Sequence, residues 1–105
     1  MSITFEQVIK NFINGAKSDA EGSISTTGTL KIQDEQLIHY WTPIAERYNN
    51  IILVNITRYS LATGKVQKQL RELIPKNLYY SVKGVKEGYK GTLADFYKEA
   101  TVLHD

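Results

Sequence analysis

The chain has 105 residues, 42% hydrophobic and 23% charged, with a formal net charge of +2, two histidines and no cysteine. This is enough for one small core and too little for separate substrate and cofactor domains, so a single domain over 1–105 is expected. Disulfides and thiolate metal sites are excluded, and no apolar run approaches the roughly 20 residues that span a bilayer.

Residues 3–17, "ITFEQVIKNFINGAK", place Phe5, Val8, Ile9, Phe12, Ile13 and Ala16 on one helical face. Thr4 and Gln7 have the spacing of a capping box at its start. The segments "SISTTGTLKI", "QLIHYWTPIA" and "IILVNITRY" are rich in β-branched and aromatic residues and read as three strands, or four if the chain breaks at Pro43. Turns are expected at "QDE" and "ERYNN", a bulge or bend at Gly28, and an edge or strand-end position for Pro43.

A second helix is expected from Ser60 to Ile74, burying Ala62, Val66, Leu70, Leu73 and Ile74, and Pro75 closes it. Alternation of Leu78, Tyr80 and Val82 predicts a further strand, followed by the glycine-punctuated loop "KGVKEGYKG". A last helix opens at Thr92, where Thr-x-x-Asp offers a cap, and buries Leu93, Phe96, Tyr97 and Ala100. The order αβββαβα predicts an α+β fold, a small antiparallel sheet of three to four strands with helices packed on one face.

No phosphate-binding glycine loop, nucleophile elbow or zinc-protease motif is present, so no catalytic residue is assigned and a non-enzymatic protein is expected. Asp34 and Glu35 are neighbours in a turn and diverge into solvent. A hydrolase built on Asp34, Glu35 and His39 would need all three to converge. Otherwise His39, beside Tyr40 and Trp41, reads as a packed histidine and His104 as a solvated tail residue. Trp41 reads as a core or rim residue, with Tyr40 on the opposite strand face. No metal and no cofactor is implied.

Charge is distributed unevenly. The window Arg58–Lys90 holds eight basic residues against two acidic, a net +6, leaving −4 for the rest of the chain. Arg58, Lys65, Lys68, Lys83, Lys86 and Lys90 are the candidate basic face, with Tyr59 and Tyr89 as its aromatic members. Ser60 and Thr63 compete to cap the second helix, and its first turn beside Arg58 and Lys65 is a candidate anion site.

The stretches "YWTPIA" and "NITRYSLATGKVQ" resemble a pattern in small phage and mobile-element proteins, Tyr-x-Thr-x-Ile-Ala followed by Tyr-Ser-x-Thr-Thr-Ser-Lys/Arg-x-Gln. The matching residues are Tyr40, Thr42, Ile44, Ala45, Tyr59, Ser60, Thr63, Lys65 and Gln67, about a third of the chain being covered. Ala62 and Gly64 stand where the pattern has hydroxyl residues. The resemblance implies a phage or mobile-element origin and a shared strand-to-helix unit, but no activity. With the leaderless N-terminus "MSITFEQVIKNF", it leads to the expectation of a cytoplasmic protein of a bacterial host cell with no membrane partner.

Two functions follow as expectations. One is an accessory protein binding nucleic acid or a nucleoprotein through its basic face. The other is a protein-directed inhibitor or adaptor acting on a host factor, such as an anti-CRISPR-type inhibitor of a host nuclease. An uncovered sheet edge would also invite a homodimer.

Overall fold

The computed structural model describes residues 3–16 and 22–97. Lys17, Ala100 and His104, to which the sequence reading gave roles, lie outside the described residues.

Helix α1 (Phe5–Ile13) begins where the capping signal puts it. Thr4 has extended backbone and its Oγ1 accepts from the Gln7 amide at 3.1 Å. The box is half made, because the Gln7 side chain runs forward and donates to Asn11 Oδ1 instead of reaching back. Val8, Ile9 and Phe12 form its fully buried stripe.

Five strands follow in a sheet of order β1-β2-β3-β4-β5: β1 (Leu30–Gln33), β2 (Gln36–His39), β3 (Thr42–Tyr48), β4 (Ile51–Asn55) and β5 (Tyr79–Val82). The first four make an antiparallel meander, and β5 lies parallel to β4 after the crossover helix α2 (Leu61–Leu73). The fold is α+β with a mixed, five-stranded sheet, which corrects the antiparallel three- to four-stranded expectation. Two local features account for the difference in the meander. "QLIHYWTPIA" breaks at Tyr40-Trp41 rather than at Pro43, and "ERYNN" is mostly strand, with only Asn49-Asn50 turning.

All three hairpins of the meander close through two-residue loops, at Asp34-Glu35, Tyr40-Trp41 and Asn49-Asn50. The first residue of each has left-handed backbone, with φ of 54° at Asp34, 57° at Tyr40 and 54° at Asn49. Such turns match the twist of the flanking strands, and Asp and Asn accept the conformation while a bulky aromatic is strained in it.

Pro43 is buried inside β3, an interior strand. The register shifts beside it, so that Leu37 faces Ala45 while Ile38 faces Pro43 and Ile44 is extra. A bulge is where a residue lacking an N–H can enter a central strand. Gly28 (φ 75°) belongs to the turn joining residues 23–25 to β1, with Ser25 N–H donating to Leu30 O and Ile32 N–H to Ser23 O. This short antiparallel segment bridges Ile24 to Lys31 and covers part of the outer edge of β1.

Both sheet faces carry cover. On one, Val8, Ile9 and Phe12 of α1 and Val66 and Leu70 of α2 pack on Leu30, Leu37, Ile52 and Val54. On the other, Leu53 and Val82 meet Val85, Leu93 and Ala94, so the segment after β5 folds back under the sheet and helices do not occupy one face alone. Each of these large side chains contributes about 1.5–3 kcal/mol by leaving water.

Two charged side chains are spent on this architecture. Glu46, 5% exposed, accepts hydrogen bonds from the Thr92 hydroxyl, the Leu93 and Ala94 amides and Gln36 Nε2. It thereby caps the helical turn at 94–97 together with Thr92, whose Oγ1 accepts from the Ala94 amide at 3.1 Å, while Asp95, the expected partner in the Thr-x-x-Asp box, accepts from Tyr89 Oη. Arg47 lies over the Phe12 ring, donates to the Phe12 and Ala16 carbonyls at the end of α1, and pairs with Glu35 at 2.9 Å. Among the described residues, no helix is long and apolar enough to cross a membrane.

Candidate nucleic-acid interface

The polar crowd between β4 and α2 is largely turned inward. Asn55 is fully buried at the end of β4. Its Nδ2 donates to Pro43 O and Tyr59 Oη, and its Oδ1 accepts from the Thr57 amide. Gln67 on α2 donates to the Asn55 and Thr57 carbonyls at 2.7 and 3.0 Å. The Tyr59 hydroxyl donates to Val85 O, and Thr57 Oγ1 accepts from Val85 N–H, which ties the segment after β5 to the same junction.

Ser60 wins the capping competition, accepting from the Thr63 amide at 3.3 Å. Thr63 is buried, and its Oγ1 lies 3.0 Å from His39 Nδ1. Thr63 therefore does not face solvent at the candidate anion site. The inner face of α2 is Thr63, Val66, Gln67 and Leu70, and Ala62 is exposed, which corrects its assignment to the core. The buried stripe is shifted because Thr63 and Gln67 satisfy β-strand partners that no apolar side chain could.

What remains outside is a cleft of about 450 Å³ between residues 56–61 and α2, lined by Arg58, Ser60, Leu61, Lys65, Lys68 and Arg71 among others. Lys65, Lys68 and Arg71 recur every third residue, so they form one row spanning about 9 Å at 1.5 Å per residue. No acidic side chain lines the cleft. Among the described residues, the two ion pairs are Lys10–Glu6 and Arg47–Glu35, and the α2 cations take part in neither. The first turn of α2 also lacks an acidic residue, leaving the positive end of the helix dipole uncompensated beside Arg58 and Lys65. Beyond Arg71, a second hollow is lined by Arg71, Lys76 and Tyr79.

The six predicted basic residues are thus divided. Arg58, Lys65 and Lys68 share the cleft, and Arg71, omitted from the sequence-based set, completes their row. Lys83 and Lys86 are exposed on the segment that Val85 fastens to the junction, outside the cleft lining. Lys90 lies elsewhere, in a groove of about 210 Å³ shared with Lys31, Tyr40, Trp41 and Tyr89. Of the two predicted aromatics, Tyr59 spends its hydroxyl internally, while Tyr89 packs edge-on against Phe96 at 5.1 Å.

Trp41 is 77% exposed at the tip of the β2–β3 hairpin, which overturns its core or rim assignment. It and Tyr40 are turn residues rather than strand neighbours on opposite faces, with ring centroids 6.3 Å apart. The turn carries no Gly, Asn or Asp to announce it, so residue type gave no warning.

The possible acid–base set does not assemble. Asp34 and Glu35 precede β2 and His39 ends it, with its ring buried between Phe5 and Tyr40. Burial lowers the His39 pKa from its ordinary 6.5. Among the described residues, no group of three or more His, Cys, Asp or Glu could hold a metal ion. In comparisons with protein-family models, with curated proteins and with solved structures, nothing matches this chain.

Proposed function

We propose that this chain is a non-enzymatic binding protein that engages nucleic acid, free or within a nucleoprotein, through the cation-lined cleft along α2. One observation carries the reading: Arg58, Lys65, Lys68 and Arg71 line a common cleft without an acidic residue among its walls. Like charges held together without partners repel one another, and an anionic polymer relieves that repulsion while releasing its own counterions. A row of three cations on one helix suits a phosphate backbone better than a single small anion. The apolar stems and Leu61 at the rim supply contact area for sugars. The phage or mobile-element origin belongs to this same proposal and rests on the residue pattern alone.

The test is a fluorescence-anisotropy titration with labelled duplex and single-stranded oligonucleotides at several salt concentrations. Four phosphate contacts predict a log–log salt slope of about −3 to −4, or a loss of about 50- to 150-fold in affinity between 50 and 200 mM salt. The triple variant Lys65→Glu, Lys68→Glu, Arg71→Glu abolishes that binding while its unfolding midpoint stays near that of the parent, because exposed charges contribute little to stability. Salt-independent binding, or binding unchanged in the triple variant, overturns the assignment of this cleft.

A further inference from the structure

We infer that the groove beneath the β2–β3 hairpin tip is a second site, which binds unpaired nucleobases by stacking them on Trp41 and Tyr40. The inference deepens the nucleic-acid reading and rests on it, adding a preference for single strands that a basic cleft alone does not provide.

Four features converge on this groove. Trp41 is 77% exposed and Tyr40 51% exposed, while the other large aromatics among the described residues are mostly packed. The tip also carries a backbone cost, since Tyr40 occupies the left-handed region at φ 57°, a conformation that Asn or Gly would adopt at less cost. It is also anchored from behind: Tyr40 packs edge-on against His39 at 4.6 Å, and His39 against Phe5 at 5.8 Å. The platform is therefore fixed at its base and open at its tip.

The fourth feature is charge complementarity. Lys31 and Lys90 line the same groove with Ile38 and Tyr89, and no acidic residue does. Two cations flanking exposed aromatic rings match the two parts of a single-stranded nucleotide, the phosphate and the π-face of its base. Duplex DNA hides its bases in the stack and presents only the first part. A second copy of this chain would bring a like-charged pair of lysines to the same groove, which disfavours self-association there.

The hairpin and α2 are also tied to each other. His39 at the base of the hairpin contacts Thr63 in the first turn of α2, the helix that carries the basic cleft.

Trp41 is the chain's one tryptophan, so its emission reports this site alone. The full chain is titrated with oligo(dT), oligo(U), an abasic oligonucleotide of equal length and a duplex. Quenching by both single-stranded oligomers, but by neither the abasic strand nor the duplex, is the expected result; quenching by only one of the two would assign the site to DNA or to RNA. Trp41→Ala weakens single-strand affinity about 5- to 150-fold and leaves duplex affinity unchanged, while Trp41→Phe retains most of it.

Single strands that bind without quenching, or with equal affinity to Trp41→Ala, overturn the stacking site and leave the basic cleft standing. Quenching that persists in the Lys65, Lys68, Arg71 triple variant, when duplex binding was never detected, keeps this site and removes the cleft. An emission change that follows protein concentration with no oligonucleotide present assigns the groove to a second copy and overturns the inference.

Discussion

The β4–α2 junction and the β2–β3 hairpin tip touch through His39, yet they place their side chains in opposite ways. At the junction, Asn55, Thr63 and Gln67 are polar and buried, and Tyr59 spends its hydroxyl inside. At the tip, Tyr40 and Trp41 are aromatic and exposed. Polar groups in the interior are tolerated only when paired, and these are: Asn55, Gln67 and Tyr59 with backbone groups of β3, β4, the turn after β4 and the segment after β5, and Thr63 with the His39 ring. Exposed aromatics gain little from folding, and Tyr40 sets backbone strain against its single edge contact with His39. The hydroxyl- and amide-rich motif is therefore the structural region, and the apolar turn is the one whose residues folding does not explain.

Removing Asn55 should produce the largest effect that separates the two regions. Asn55→Ala strands the Pro43 carbonyl and the Thr57 amide and frees Tyr59 Oη from one partner. Deleting several buried hydrogen bonds at once predicts a loss of about 3 kcal/mol. Urea denaturation measures it against Trp41→Ala, for which a change within about 0.5 kcal/mol is expected. If Asn55→Ala lost less than Trp41→Ala, the junction would not be the structural partner in this comparison.

A smaller effect of opposite sign is expected at the tip. Tyr40→Asn relieves left-handed strain of about 1–2 kcal/mol at the loss of an edge contact worth about 0.5, for a net gain near 1 kcal/mol. The same variant should bind single strands more weakly, so stability and binding move apart. A destabilised Tyr40→Asn would mean that the His39 contact holds the tip together and that its aromatic character is structural after all.

Sequence patterning reached the elements whose periodicity is undiluted. Val8, Ile9 and Phe12 declare α1, Thr4 declares its cap, Ser60 and Thr63 mark the start of α2 without deciding between themselves, and Pro75 marks its end. It failed where a distant partner decides. Whether β5 pairs parallel to β4 depends on the α2 crossover, not on alternation within "LYYSV". Glu46 caps a helical turn from 46 residues away, a separation at which no capping box can be read. Ala62 looked like a core residue from its spacing with Val66 and Leu70; the inner face instead holds Thr63, against the His39 ring, and Gln67, against the Asn55 and Thr57 carbonyls. Among the site residues, Arg58, Lys65 and Lys68 were legible as members of one basic face, whereas Arg71, three residues beyond Lys68, was left out of it. The grouping of Lys90 with Lys31 and Trp41 was not, since only the return of the chain across the sheet brings them together.

His39 offers the smallest and most specific test, because it belongs to both regions. Its ring is buried, Nδ1 lies 3.0 Å from Thr63 Oγ1, and Tyr40 leans on its face. Burial lowers its pKa below the ordinary 6.5, so the unfolded chain takes up this proton before the folded one does. Stability should then be at its plateau above about pH 6.5 and decline as pH falls from there toward the folded-state pKa. His39→Asn keeps a hydrogen-bonding group near Thr63 and removes the titration. The difference in unfolding free energy between parent and variant should therefore change between pH 7.5 and 5.5, with other titrating groups common to both proteins cancelling. Protonation of His39 in the folded parent should also shift Trp41 emission, at a pH below 6.5, since Tyr40 connects the two rings. A difference independent of pH would mean that His39 is not held neutral by the fold, and that the tip and the junction are energetically separate.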